Sequence, residues 1–324
     1  MIADAEMIAD RRRLRRKLTL WRVLAFGALL VAVGTAGLVA TRHSGAFTSG
    51  QQIARISVSG LIAGDQRMSE LLRRVGETGS VAGVVVSISS PGGTTTGSEE
   101  LFRGIRALAA RKPTVAFVDG TAASGAYITA LGADRIVARE TSLIGSIGVL
   151  FQYPDLSKLL ATVGVAVEEV KSSPLKAEPS PFRPASPEAR AALQSVVDDT
   201  YSWFRDLVRT RRNMSEAEAR LVSDGRVFSA RQALPLKLVD QLGSEQDAIE
   251  WLERERQVPR GLPVTDWKPR GPSTFSLWTA AAFGADLFGL DRAAATLRTA
   301  AGAVSAAELT GLLALWQPGR SVDR

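Results

Sequence analysis

The sequence predicts an α/β fold built on a mostly parallel sheet. Three observations carry that reading. Residues 81–88 and 114–118 are near-continuous apolar runs of strand length, as expected of strands covered on both faces. Between them, residues 99–111 place Leu101, Ile105 and Leu108 on one helical stripe. The alternation then continues into Arg135-Ile136-Val137-Ala138, an order that favours right-handed βαβ crossovers. With 324 residues, 45% of them hydrophobic, the chain can bury one large core or two smaller ones.

The elements follow in order. Residues 1–22 carry seven basic side chains (Arg11, Arg12, Arg13, Arg15, Arg16, Lys17, Arg22) against Asp4, Glu6 and Asp10, which is +4 of the chain's net +7. Residues 23–40 are uncharged and mostly apolar, near the lower length limit for a helix crossing a hydrocarbon core. Trp21 stands at one boundary, where an indole ring prefers the interface. The basic cluster predicts a cytoplasmic N-terminus, with the remainder periplasmic or extracellular. The run is long for a cleaved signal peptide, although Gly37, Ala40 and Ser44 supply small residues nearby, so an uncleaved single-pass anchor is expected.

A polar linker over residues 41–52 leads to a first strand at 53–60 and a helix at 65–74 with Met68, Leu71 and Leu72 inward. The strand at 81–88 runs into the turn-like Ser89-Ser90-Pro91-Gly92-Gly93. After the strand at 114–118, the small-residue stretch from Asp119 to Ala126 precedes a short helix at 127–131. A helix is expected at 155–163 and a strand at 165–170. Ser186-Pro187-Glu188 opens a long helix to about residue 212, with a cap, a proline in the first turn and an acid that suits the dipole. Ser215 and Glu218 have capping-box spacing. Residues 245–256 form a further amphipathic helix. Residues 259–272 read as a Pro/Gly break. The tail at 273–317 is rich in Ala, Leu and Gly and is expected to form two apolar-faced helices, docked on the body or on a neighbouring subunit, with contact to the membrane or to apolar substrate as the alternative.

The chemistry centres on Ser124. A tight turn between strand and helix lets a serine hydroxyl project from crowded backbone at a helix N-terminus, where free N–H groups favour negative charge. A serine nucleophile and its oxyanion need that environment, although the same small residues also suit an ordinary tight connection. The chain has no cysteine, which excludes disulfides, thiolate nucleophiles and cysteine metal sites. It has one histidine, His43, beside the N-terminal apolar run and far from Ser124. That leaves no histidine-rich zinc site, and no metal or other cofactor is expected. A base for Ser124 is therefore expected to be a lysine, with Lys17, Lys112, Lys158, Lys171, Lys176 and Lys237 as candidates. A lysine base must be neutral, and its reference pKa of about 10.4 falls only in a dry site without a carboxylate partner. Gly92 and Gly93 follow a buried strand and can present amides to an oxyanion; no phosphate-loop lysine follows them. The body shows no basic stripe with interleaved aromatics, so nucleic acid is not an expected partner.

Five segments in order, VVVSISSPGG, VDGTAASGAYITALGADRIVA, TSLIGSIGVL, VKSSPLKAEPSPFRPASPEAR and DGRVFSARQALPLKLVDQLG, resemble the signal peptide peptidase A family of serine peptidases. The resemblance covers roughly residues 53–256. It implies a ClpP/crotonase-like fold of layered β-sheets with flanking helices, assembled as a homo-oligomer. It implies Ser124 as nucleophile, Lys176 as general base, the amides of Gly93 and Gly125 as oxyanion donors, Gly92 shaping their turn, and Ser146 orienting the lysine. The implied substrates are remnant signal peptides or other apolar peptides at the cytoplasmic membrane, with lipid as a second partner. The sequence departs from the family at Ala126, where a glycine is usual, at Ala177, where an acid is usual, and at Lys237-Leu238, where Gly-Leu is usual. The expected plan is a basic arm (1–22), a transmembrane anchor (23–40), a linker (41–52), a peptidase domain (53–256) and a C-terminal helical extension (257–324). Two alternatives share this fold: a crotonase-like acyl-CoA enzyme using the same oxyanion pair, and an inactive membrane-bound scaffold.

Overall fold

The computed structural model describes residues 50–269 and 313–315, with Trp21 and Gly27 from the N-terminal part. Within them the βαβ order holds. β1 (Gln52–Ile62), α1 (Gln66–Glu77), β2 (Val81–Thr94), α2 (Thr95–Ala109), β3 (Thr114–Ala123), α3 (Gly125–Ala130) and β4 (Arg135–Ala138) follow one another, and β1 to β4 pair in parallel in that order. The side chains of these strands divide by parity, as period-two strands must. Ala54, Ile56, Val84, Val86, Ile88, Ala116 and Val118 join one core with α1, α2 and α3. Ile53, Val85, Val115, Phe117 and Val137 join a second core under α8 (Glu245–Glu255). Both faces are covered, which is why the runs read as continuously apolar.

The sheet is completed by β5 (Leu143–Gly145), β6 (Val227–Ser229), β7 (Gln241–Leu242), β8 (Val264–Trp267) and β9 (Leu313–Leu315). Its main path is β6-β5-β3-β2-β1-β8, with β4 and β9 joining β3 and β2, and β7 joining β4. Two strands fork at the same level. β3 pairs with β4 through Val118↔Ala138, then with β5 from Thr121↔Leu143 onward. β2 pairs with β3 as far as Ser90↔Ala122, and beyond that its edge is taken by β9.

The helical caps fall where the sequence puts them. The helix expected at 155–163 is α4 (Ser157–Thr162); Ser186 accepts from the Ala189 amide at the start of α5 (Pro187–Arg211), and Ser215 and Glu218 form the capping box of α6 (Glu216–Val222). A short α7 (Ala230–Ala233) follows β6.

Four expectations need correction. Pro91-Gly92-Gly93 is not a loop, because β2 continues through it paired to β1 (Leu61↔Gly92, Ile62↔Gly93). No strand forms at 165–170: these residues are exposed, and the β5 edge that they would need is already paired antiparallel with β6. The break at 259–272 contains β8, which pairs with the outer edge of β1. The extension 257–324, expected to be helical, holds strands at 264–267 and 313–315, and the rest of the tail beyond 269 lies outside the described residues.

By contact the chain divides into residues 1–50 and 51–324. In the first unit Trp21 is helical and exposed, while most of the apolar run 23–40 lies outside the described residues. Among the described residues no helix is long and apolar enough to cross a membrane.

Candidate active site

Ser124 links β3 to α3. It is 1% exposed, and its backbone sits at φ 55°, ψ −119°, a region that L-residues rarely adopt. Such an angle costs about 1–3 kcal/mol and persists only where surrounding structure enforces it. The enforcement is visible. The Ser124 amide donates to the Gly145 carbonyl at 2.7 Å, and the Ser124 carbonyl accepts from Tyr127 and Ile128. α3 is wholly buried, and the Tyr127 hydroxyl donates to the Leu238 carbonyl at 2.8 Å. Burial pushes the Tyr127 phenol well above its ordinary pKa, so it stays a neutral donor. The Ser124 hydroxyl makes no cap hydrogen bond to α3. A serine on a sharp, strained strand-to-helix turn is the arrangement that offers a hydroxyl for nucleophilic attack.

Gly125 is the first residue of α3, so its amide has no acceptor inside the helix. Gly92 and Gly93 lie buried on β2, just past the point where β3 leaves that strand. Only glycine fits either place. Gly92 has φ 107°, and a Cβ on Gly93 would meet the Ile62 carbonyl oxygen at 1.9 Å. Ser146 follows Gly145, the register partner of Ala123, so Ser124 and Ser146 leave adjacent parallel strands at one level. Both have positive φ, and the Ser146 amide donates to the Arg226 carbonyl at 2.8 Å.

Lys176 stands apart. It is exposed on the long segment between β5 and α5, and among the described residues its ammonium makes no hydrogen bond or ion pair. Around it, Lys171 bonds Glu169 and Glu178 at 2.8 Å each, and Arg183 also reaches both carboxylates. The Lys171 ammonium and then the Arg183 guanidinium pull the Glu178 carboxyl down to about 2. The structure thus gathers Ser124, Gly125, Gly92, Gly93 and Ser146 but leaves Lys176 in solvent.

The other candidate lysines differ in their surroundings. Lys112 donates to the carbonyls of Thr78 and Val81, Lys237 pairs with Glu218 at 2.7 Å, and Lys158 is exposed beside Asp155. Lys17 lies outside the described residues.

Sequence reading overlooked Ser90. Its buried hydroxyl donates to the Gly60 carbonyl at 2.7 Å and accepts from the Gly92 amide at 3.1 Å, pinning the glycine pair between β1 and its own strand. The only sequence signal was a polar residue at the end of an apolar strand.

A buried serine on a strained turn, beside glycine amides at a fork in a parallel sheet, has the parts of a serine hydrolase. The sequence matches narrow that class to a serine-type peptidase. The model of peptidase family S49 matches residues 106–259. A candidate protease of Synechocystis sp. is 38% identical over 203 residues, covering 62% of this chain and 73% of that protein. A candidate signal peptide peptidase, SppA, of Enterococcus faecium is 32% identical over 224 residues, or 65% of each chain. The chloroplastic serine protease SPPA of Arabidopsis thaliana is 31% identical over 231 residues, covering 70% of this chain and 34% of that one. The chain belongs to peptidase family S49. It spans less than two thirds of the second and third of these relatives.

Proposed function

We propose that the chain is a serine endopeptidase working through a Ser124/Lys176 dyad, with the amides of Gly93 and Gly125 as its oxyanion hole. The observation that carries this reading is the strained backbone of buried Ser124, followed at once by the Gly125 amide that opens α3 without an acceptor in the helix. In the proposed reaction the Ser124 Oγ attacks the peptide carbonyl carbon while Lys176 Nζ takes its proton. The carbonyl oxygen becomes an oxyanion held by the two amides. When the C–N bond breaks, the lysine returns the proton to the leaving amine. Water, deprotonated by the same amine, then hydrolyses the acyl ester.

Lys176 takes this role as the family resemblance implies, and among the described residues its ammonium is not paired with a carboxylate, unlike those of Lys171 and Lys237. A lysine base must be neutral, which a dry site favours, so the reading needs a cover over this exposed segment. The segment that carries it supplies a reason for one: Phe151, Leu159, Val163, Val165, Val170 and Leu175 are all exposed. Apolar side chains concentrated on one segment mark an interaction surface. We assign that cover to further copies of this chain.

The substrates proposed are apolar peptides, remnant signal peptides among them, met at a membrane to which residues 23–40 anchor the chain. Extraction of the full chain from membranes by alkaline carbonate would remove the anchor from this reading.

Ser124→Ala and Lys176→Ala should each abolish cleavage of an apolar reporter peptide while circular dichroism stays unchanged, and activity should elute with assembled protein on gel filtration. Turnover by either variant, or by an isolated monomer, would overturn the dyad or its cover.

A further inference from the structure

α3 ends in a buried connection to β4, made by Leu131, Gly132 and Ala133. Buried carbonyls need partners inside the protein, and here the partners are two guanidinium groups from distant helices. Arg211, the last residue of α5, donates through Nε to the Leu131 carbonyl at 2.8 Å and through Nη2 to the Ala133 carbonyl at 2.9 Å. Arg106, in the last turn of α2, donates through Nη1 to the Gly132 carbonyl at 2.6 Å and the Ala133 carbonyl at 3.1 Å. Its Nη2 reaches Asp134 Oδ1 at 2.8 Å. Gly132 lets the connection lie against α2, since a Cβ there would meet the Phe102 carbonyl oxygen at 2.9 Å. Beside Arg211, Arg212 bonds Asp240 and the Lys237 carbonyl, holding the segment whose Leu238 carbonyl accepts from Tyr127 of α3.

The Ser124 turn is therefore held from two sides. On the strand side its amide bonds the Gly145 carbonyl, and on the helix side α3 is gripped at its far end. α3 has six residues, about 9 Å of axis, so a shift at its exit is passed to its first residue. A strained φ persists only where its surroundings over-determine it. We infer that Arg106 and Arg211 are positioning residues for the proposed reaction: by seating the exit of α3 they fix the Ser124 hydroxyl and the Gly125 amide in place. This rests on the peptidase reading of the same site. Arginine suits the task because its planar fork donates to two carbonyls at once, whereas lysine offers one compact charge. The effect falls on the barrier and not on peptide binding, because a small misplacement of reacting groups slows the chemical step steeply.

The test uses Arg211→Ala and Arg211→Lys in the full-length chain, with Gly132→Ala as a third variant that pushes the same connection off α2 without changing a charge. Against an apolar chromogenic peptide, well below each variant's Tm, kcat should fall about 10- to 100-fold while KM stays within about twofold of the parent. Arg211→Lys should lose less than Arg211→Ala. If Arg211→Ala does not fold, the other two variants carry the comparison. Hydrogen exchange, measured in a Ser124→Ala background, should rise in residues 125–133 and not in β1. A lowered Tm with kcat unchanged would assign the arginines to stability alone and overturn the inference, as would unchanged exchange or a loss confined to KM. If the parent cleaves no peptide, the peptidase reading fails, and the exchange measurement still decides whether the grip seats the Ser124 turn.

Discussion

Ser124 stores its strain in the backbone, and its side chain contributes no cap to offset it. Replacing it with alanine removes the hydroxyl but keeps the Cβ and the unfavourable φ. Replacing it with glycine removes both. Glycine carries an entropic cost of about 0.5–1 kcal/mol, against a strain of about 1–3 kcal/mol. Ser124→Gly should therefore unfold in denaturant with a free energy about 1 kcal/mol above that of Ser124→Ala; equal midpoints would mean that the turn is unstrained. The serine was legible in the sequence because only small residues flank it between a strand and a helix. Its dihedral was not, since Ala-Ala-Ser-Gly-Ala also fits an ordinary turn. Lys237 shows the reverse. A resemblance that expects glycine there predicts a left-handed position, and Lys237 does sit at φ 60°, with its side chain engaged by Glu218.

At the scale of elements, the segment between β5 and α5 is where sequence reading was weakest. Residues 165–170 have the composition of a strand, but a strand needs an edge, and β6, from over 80 residues later in the chain, fills the one beside β5. What orders part of the segment instead is charge: Glu169, Lys171, Glu178 and Arg183 clasp the stretch that includes Lys176. Glu178 is held at about 2 when folded, below its reference value of about 4.3. The folded form thus favours the ionised carboxylate, and this contribution is full above pH 5 and lost as pH falls toward 2. Between pH 5 and pH 2.5, hydrogen exchange should rise in residues 169–183 before it rises in β2 or β3, and Glu178→Gln should show the raised exchange already at pH 7. Simultaneous loss across the sheet would assign the clasp no separate role. The starts of α5 and α6, by contrast, were legible to the residue, because Ser186, Ser215 and Glu218 act locally and cap what they precede.

For the whole molecule, the parallel sheet and its two cores follow from runs of Val, Ile and Ala that need cover on both sides. The pairings that sequence reading missed join distant parts of the chain: β5 with β6, β4 with β7, β1 with β8, and β2 with β9. Each is two to four residues long, too short to show a period. The fork in β3 lies between β4 and β5 and the fork in β2 between β3 and β9, and the forks create the space in which Ser124 and the glycine pair meet.

One of the late pairings also marks where the enzyme can be cut. The S49 match stops at residue 259, yet β8 lies beyond it, zipped to Ile53–Ile56, with Asp266 bonded to Arg55 at 3.0 Å. A protein trimmed at 259 retains every candidate catalytic group but bares a flat hydrogen-bonding rim on β1, the kind of rim that recruits other chains. In light scattering at matched concentration it should clump, whereas a protein trimmed at 269 should stay dispersed; two equally clear solutions would show that the rim is harmless. The four residues of β8 then act as a hem on the sheet, and the smallest piece worth expressing is set by solubility rather than by chemistry.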